Sequence, residues 1–402
     1  MRVLQINAVY GQGSTGVIVR DIEQMCEQVG IECHVASPDP KVNKAKHGYR
    51  IGNTLDHKFH ALLCRIAGKQ AYFSRWATRR LLSYMDRIKP DIVHLHNLHS
   101  NYVHLNMLLQ YLAKKDIRTI ITMHDCWYFT GGCFHYTSVR CMKWQNHCSH
   151  CVKQRLDTPA YLYDASAKIQ SDRIKFLSAI PKLTFVGASE WIAEELSKSR
   201  LGNCCNITYI HNGFDLATFQ PRNNNLRRQL GLDSSFIILG PASKWLDPIN
   251  AITLEYFTEH LPDDCVLLLF GSTVRLDGLP SNIRLYGYTR NREELAALYS
   301  MADVMVNCSR EDTLSSLNLE SQACGTPVVT YDATGSNETV DGVCGFAVEV
   351  GNHEKLFDSV MTVRSLGRGH FGQLCREFVS KNFEKDTNYG KYISLYKQIE
   401  NE

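Results

Sequence analysis

No apolar run in the 402 residues approaches the roughly 20 needed to span a bilayer. The opening MRVLQINAVYGQGSTG has no apolar stretch followed by a small-residue cleavage site, so it reads as a first β-strand rather than a secretion signal. Both absences lead to the expectation of a cytoplasmic protein, whose 15 cysteines are mostly thiols or metal ligands rather than disulfides. Internal repeats and low-complexity segments are also missing. With 44% hydrophobic and 21% charged residues the composition is globular, and the length exceeds one typical core and suits two domains. No Asp-x-Asp pair offers a seat for a phosphate-bound divalent metal.

What is present is unevenly spread. Residues 1–222 carry 28 basic against 17 acidic side chains, and residues 223–402 carry 16 against 24, so a net charge of +3 conceals halves of opposite sign. Nearly all the basic excess lies in 41–89, where 12 Lys and Arg face only Asp56 and Asp86. Such a run suits an anionic membrane surface or nucleic acid, or is simply a solvated helix face. No recognisable nucleic-acid module accompanies it, so nucleic acid is not expected as a partner.

Strand and helix patterns alternate. Strands are predicted at 3–9, 31–37, 91–97, 117–124 and 182–189, with helices from about Gly16 to Gly30 and at 74–89, 103–115, 164–178 and 190–200. A second alternating set runs from SFIILGPAS (235–243) to GFAVEV (345–350). The polar run RNNNLRRQ predicts domains of 1–222 and 223–402, with the last helix available to pack back on the first. The fold class expected is α/β, two Rossmann-like domains with parallel sheets facing each other across a cleft. In such folds ligands bind outside the carboxyl ends of the strands.

Three stretches carry candidate chemistry. In YGQGSTGVI (10–18), Gly11, Gly13 and Gly16 make a G-x-G-x-x-G between a strand and a helix, where exposed amides meet phosphate. An acid about 20 residues on at the second strand is not evident, since Glu32 and Cys33 precede Val35-Ala36-Ser37, so NAD is not implied, and a tight turn explains the loop equally well. In SREDTLSSLNLESQACGTPVVTY (309–331), Asp312 falls in a loop and Glu320 on the following helix. Carboxylates there accept from sugar hydroxyls while free helix amides hold a diphosphate; alternatively Asp312 is a cap and Glu320 a surface charge. In MHDCWYFTGGCFHYTSVRCMKWQNHCSHC (123–151), Cys133, Cys141, Cys148 and Cys151 are a candidate structural zinc set, with His147 and His150 as spare ligands. Packed thiols and disulfides remain open as alternatives.

The run Asp312-x7-Glu320-SQACGTPVV resembles the signature of the retaining, family-4-type glycosyltransferases of the GT-B fold. NAVYGQGSTGVIVRDI, KPDIVHLHNLHSNYVHL, TMHDCWYFTGGC, GASEWIAEELSKS, IHNGFDLATF and LYSMADVMVNCSREDT extend the likeness over nearly the whole chain. They are similar to a bacterial subgroup that builds capsule, exopolysaccharide or O-antigen repeat units. The resemblance implies roles. Glu320 would bind the ribose, and Asp312 the hydroxyls of the donor sugar. Leu314, Ser315 and Ser316 would hold sugar and diphosphate through their amides, with Lys244 neutralising the diphosphate. His124 would face the transferred sugar, with Gly13, Ser14 and Gly16 under the diphosphate. Tyr286, Gly287, Tyr288 and Thr289 would frame the base. The chain departs from the pattern at Ile249 and Asn250, where Lys-Gly is usual, so one cationic contact to the leaving phosphate is missing unless another Lys or Arg supplies it.

The resemblance further implies a UDP- or GDP-sugar donor, departure of the diphosphate without a divalent metal, and front-face attack by the acceptor. It implies a lipid-linked saccharide acceptor, hence a peripheral protein on the inner face of the plasma membrane. Arg75, Trp76, Arg79 and Arg80, with Arg87, Lys89 and Tyr84, would then face anionic headgroups. Two further readings follow from the same residues: a scaffold partner that has lost turnover, and a nucleotide-sugar epimerase.

Overall fold

The computed structural model describes residues 1–157, 159–273 and 279–401. By contacts the chain divides into Met1–Asn212 with Asp386–Glu402, and Gly213–Lys385. The division falls at 212/213 where the polar run had suggested 222, and the second unit ends at 385, because the last helix packs within the first unit.

The first unit alternates β1 (Arg2–Ile6), α1 (Gly13–Gln28), β2 (Glu32–Ser37), β3 (Gly48–Arg50), α2 (Thr54–Ala67), α3 (Arg75–Ile88) and β4 (Ile92–Leu95). It continues with α4 (Leu105–Lys114), β5 (Arg118–Met123), α5 (Ser166–Leu177), β6 (Leu183–Gly187), α6 (Glu190–Ser197) and β7 (Asn206–Tyr209). The second holds α7 (Leu226–Gln229), β8 (Phe236–Pro241), α8 (Ala242–Trp245), α9 (Ala251–His260), β9 (Cys265–Phe270), β10 (Ile283–Tyr286) and α10 (Arg292–Met301). After it come β11 (Val304–Asn307), α11 (Ser316–Ala323), β12 (Val328–Tyr331), β13 (Gly345–Val348), α12 (His353–Leu366) and α13 (Arg368–Phe383). The closing α14 (Lys385–Asn401) supplies Tyr389, Tyr392, Ile393, Tyr396 and Ile399 to a buried cluster with Val3, Ile22, Ile92 and Ile120 of the first sheet.

Both sheets are parallel throughout, which their apolar runs require: strands buried on both faces cannot alternate in and out. The first has the order β3-β2-β1-β4-β5-β6-β7 and the second β10-β9-β8-β11-β12-β13. Each therefore reverses direction of strand addition once, between β1 and β4 and between β8 and β11. Loops that leave the carboxyl ends of those strands diverge and open a crevice, the usual ligand position in such sheets. Residues 10–13 and 96–104 border it in the first unit, and 242–250 and 308–315 in the second.

Two elements were not foreseen. α2 opens on Asn53, whose side chain accepts from the Asp56 amide, and closes on Gly68 at φ +63. It presents Leu55, Phe59, Leu62 and Ile66 to the outside, so its pattern is the inverse of a core-facing helix. The three-residue β3 on the sheet edge is too short to carry a periodic signal. Among the described residues no helix is long and apolar enough to cross a membrane.

Candidate active site

The second unit gathers most of the expected residues around its switch point. α11 begins at Ser316, but its N-cap Ser315 does not cap it: the Ser315 hydroxyl instead accepts from Asn307 Nδ2 at 2.9 Å, and no side chain bonds the first-turn amides. Asn307 also donates to Asn318 Oδ1 at 2.9 Å, and Asn318 donates on to Thr339. This buried amide relay fixes the end of β11 to the start of α11 and leaves the amides of Ser316 and Leu317 for an anion. The Asp312 backbone is tied to Thr334 and Gly335, since its N–H donates to Thr334 Oγ1 at 2.9 Å and its carbonyl accepts from the Gly335 N–H at 3.0 Å. Leu314 is buried beneath the loop.

Glu320 stands on α11 with its carboxylate accepting from Tyr299 at 3.3 Å. Burial raises it from 4.5 to about 7; Arg292 and the Tyr299 hydroxyl only partly oppose this. A carboxylate kept short of partners at a strand-end crevice is poised to take hydrogen bonds from a vicinal diol. Lys244 lies in the single turn of α8, half-exposed, and among the described residues no carboxylate pairs with it. Tyr286 ends β10 with its hydroxyl donating to Glu294 at 2.8 Å. The carbonyls of Tyr286 and Gly287 both accept from the Gly271 amide at 3.1 Å, and Tyr288 is exposed beside Thr289. The residues expected to frame the base thus form a strand-end loop whose shape is set by backbone.

The first unit places the glycine loop at its own switch point and His124 one strand away, just past the end of β5. Gly11 and Gly13 take φ +64 and +62, and α1 starts at Gly13, with Ser14 in its first turn. A Cβ on Gly16 would stand 3.2 Å from the amides of Tyr10 and Gly11, so the loop and helix close on glycine. An acid does serve this loop: Asp39, two residues past β2, accepts from the Tyr10 amide at 3.2 Å and from Gln12 Nε2 at 2.7 Å. It escaped the sequence reading because it lies beyond the strand end rather than in it.

His124, partly buried, ends a row of imidazoles whose other members, His94 and His96, are fully buried. Gln5 donates from Nε2 to the Val19 carbonyl at 3.1 Å, which turns its Oε1 to His96 Nε2 at 3.2 Å. His96 therefore carries its proton on Nε2. Burial holds it well below the ordinary histidine range, so its Nδ1 is a lone pair that accepts from His124 Nε2–H at 3.2 Å. His124, itself lowered by burial to about 4, is then a neutral imidazole with Nδ1 as acceptor. Asp125 points elsewhere: its Oδ1 accepts from the Trp127 amide at 2.8 Å and His99 Nε2 lies 3.2 Å from its Oδ2. Burial would push that carboxyl up, but the His99 and Trp127 contacts hold it below the usual range. His96 and Gln5 carried no signal in the sequence beyond a histidine at every other strand position.

Cys133, Cys141, Cys148 and Cys151 line one cavity of about 20 Å³ with Tyr136 and Trp144. Among the described residues, however, no three His, Cys, Asp or Glu side chains are placed to hold a metal ion. Burial pushes the Cys133 thiol up to about 12 and the Cys148 thiol to about 11. His147 and His150 are exposed. The excursion is braced instead by α5. Gln170 accepts from the Cys148 amide at 2.7 Å and donates to the Trp144 carbonyl at 2.6 Å. Arg173 donates to the Thr130 carbonyl at 2.9 Å with its guanidinium 3.5 Å from the Trp127 ring centroid.

On α3, Arg75, Trp76, Arg79 and Arg80 are all exposed, with Arg79 over the Trp76 ring at 5.0 Å. Arg87 and Lys89 are exposed as well, but Tyr84 is not a surface residue: it is buried and stacks on Tyr49 at 4.2 Å.

Comparisons with known proteins agree with this arrangement. The sequence pattern described as Glycosyltransferase Family 4 matches residues 15–218, and that described as Glycosyl transferases group 1 matches residues 249–365. A protein of Escherichia coli K12 described as a colanic acid biosynthesis glycosyl transferase, WcaC, is 20% identical over 99% of this chain and 100% of its own. A D-inositol 3-phosphate glycosyltransferase of Mycobacterium sp. is 29% identical over 43% of this chain and 44% of its own. Among solved structures, sucrose-phosphate synthase from Thermosynechococcus elongatus covers 99% of this chain and 98% of its own with a TM-score of 0.67 at 18% identity. HepE of Anabaena in complex with UDP-glucose covers 99% and 100% with a TM-score of 0.64 at 14% identity. The chain belongs to Glycosyltransferase Family 4 and is a glycosyltransferase of the two-domain α/β GT-B fold.

Proposed function

We propose that the enzyme moves a sugar, with retention, from a nucleotide-diphosphate donor to a lipid-linked saccharide in the assembly of a bacterial surface polysaccharide. The observation that carries this is the α11 constellation: uncapped first-turn amides, Asp312 before them, Glu320 within the helix and Lys244 across the switch point. Glu320 takes the ribose hydroxyls, and the loop 286–289 frames uracil or guanine. Asp312 and the amides of Leu314 to Ser316 take the sugar and diphosphate. Lys244 and the α11 amides stabilise the diphosphate as its bond to the anomeric carbon breaks and positive charge grows on the ring. The acceptor hydroxyl attacks from the side the diphosphate leaves and gives its proton to a leaving phosphate oxygen. His124 faces the transferred sugar, and the loop of Gly13, Ser14 and Gly16 lies under the diphosphate and shapes the acceptor site.

Work on a lipid-linked acceptor asks for a membrane-facing surface. Leu55, Phe59, Leu62 and Ile66 form an exposed apolar stripe on α2, and Tyr161, whose amide donates to the Arg65 carbonyl at 2.9 Å, adds Leu162 and Tyr163 beside its end. With Trp76 and the arginines of α3 this is an apolar strip in a basic field, the pattern of a peripheral protein on an anionic leaflet. Such a surface on the inner face of the plasma membrane fits the cytoplasmic location expected.

The test is a panel of UDP- and GDP-sugars with bacterial lipid extract, read by nucleotide release and by labelled lipid product. Sugar should appear on lipid with one donor. A folded preparation that releases nucleotide from none of them refutes the reading.

A further inference from the structure

We infer that Arg310, held in place by Asn250, is a second cationic contact for the donor diphosphate. This deepens the donor-site reading above and rests on it. Arg310 lies in the loop that leaves β11, on the opposite side of the switch point from Lys244 in the loop that leaves β8. These are the two loops that border the crevice of this sheet.

Asn250 is almost fully buried and uses its whole side-chain amide to build the corner. Nδ2 donates to the Lys244 carbonyl at 3.0 Å and to the Cys308 carbonyl at 2.9 Å, which ties the end of α8 to the end of β11. Its Oδ1 accepts from Arg310 Nε at 2.9 Å. Arg310 Nη2 donates to the Ile249 carbonyl at 3.0 Å, and the guanidinium lies over the Tyr331 ring at 5.8 Å, at the carboxyl end of β12. The plane is thus fixed by two hydrogen bonds and a ring, as a preorganised fork requires.

That fork is only partly used. A guanidinium has five N–H donors, and two are bonded. Nη1 bonds nothing among the described residues, and no carboxylate there pairs with Arg310. A half-buried arginine without a counter-ion is unusual unless an anion visits it. Lys244 shares that condition, and Asn250 joins the two loops by bonding the Lys244 carbonyl and Arg310 Nε at once. Beside them stand the uncapped amides of α11. Two unpaired cations and a helix N-terminus on the borders of one crevice match a group carrying two or more negative charges, and a single carboxylate would leave them unbalanced. Asn250 acts as the positioning residue and Arg310 makes the contact.

The test is calorimetric binding of UDP, GDP and the corresponding nucleosides to the full chain, wild type against Arg310→Gln and Arg310→Lys. Loss of one charge-assisted contact should weaken the bound diphosphate about 10- to 100-fold and leave the nucleoside unchanged. Lysine, which keeps the charge but not the Asn250 bond, should fall between. Ile249 is exposed next to the guanidinium, so Ile249→Lys in the Arg310→Gln background should recover part of the loss. Equal diphosphate affinity in wild type and Arg310→Gln overturns the inference while leaving the donor site standing. A parallel drop for diphosphate and nucleoside shows a merely structural role and overturns it too. A wild-type chain that binds neither UDP nor GDP overturns both the inference and the donor-site reading beneath it.

Discussion

Replacing Glu320 by glutamine should make the free enzyme more stable and worse at binding its donor. The carboxyl titrates near 7 in the folded chain against 4.5 ordinarily, because burial disfavours its charge. A group whose folded value is raised costs nothing below 4.5, costs progressively more between 4.5 and 7, and reaches a plateau above 7. At about 1.4 kcal/mol per unit, the plateau is about 3 kcal/mol, with about 1 kcal/mol already present at pH 5. Glu320→Gln removes the ionisation and keeps an oxygen for the Tyr299 hydroxyl. The variant should therefore gain about 3 kcal/mol over wild type at pH 8, about 1 kcal/mol at pH 5, and several degrees in Tm at the higher pH. Urea unfolding at pH 5, 6, 7 and 8 measures this directly. Nucleoside diphosphate affinity at pH 8 should fall about 10-fold or more, since the ribose hydroxyls lose a charged acceptor. A stability difference that stays constant from pH 5 to pH 8, or a variant less stable than wild type at pH 8, refutes the account of a buried carboxylate kept for its ligand.

Arg173→Met strips the buried excursion of the group that satisfies the Thr130 carbonyl and covers Trp127; it should cost about 3 kcal/mol in urea unfolding, and a loss under about 1 kcal/mol would show the brace lies elsewhere. Phe59→Glu with Leu62→Glu should abolish co-sedimentation with vesicles rich in anionic lipid, while Arg79→Gln with Arg80→Gln should weaken it in a salt-dependent way; unchanged sedimentation of both variants counts against the membrane surface. Nitrogen-15 NMR should find His124 neutral from pH 5 to pH 8 with its proton on Nε2, and His96→Phe should shift that tautomer; a titration between pH 6 and 7 would contradict the buried imidazole row.

Alternation of strand and helix was legible because parallel strands covered on both faces read as bare apolar runs bounded by turns, and each such run, from Leu4 to Val348, became a strand. α2 was not, since its apolar residues face outward and imitate an unstructured basic stretch. The domain edge was read from the polar run at 222–229, which proved to include the short α7 inside the second unit. In the candidate site, Asp312, Glu320 and Lys244 were singled out by the resemblance to a family signature rather than by any local pattern of their own. Arg310 was not: its part depends on Asn250, 60 positions away, and no local pattern reports a bond of that range. The same holds for Gln5 and His96, whose meeting sets a proton on His124 through three strands. For the cysteines the spacing left zinc ligands and packed thiols both open, and among the described residues no three such side chains are placed to hold a metal ion.

The chain leaves its first unit after residue 212 and returns only at 386, so the second unit is nested inside the first. Phe214 and the stretch 383–385 run side by side where it departs and comes back, with the Phe214 amide donating to the Phe383 carbonyl at 2.7 Å. During synthesis the seven strands of the first sheet emerge early, but the helix whose Tyr392 and Tyr396 bond Thr122 and His94 emerges only after the whole second unit. The half that is made first is therefore finished second, and until residues after 385 arrive the cluster of Val3, Ile22, Ile92 and Ile120 lacks the Tyr389, Tyr392, Ile393 and Tyr396 side chains that complete it. A ribosome stalled near residue 385 would hold one completed unit and one that is still open beside His94, the first of the imidazoles that lead to His124.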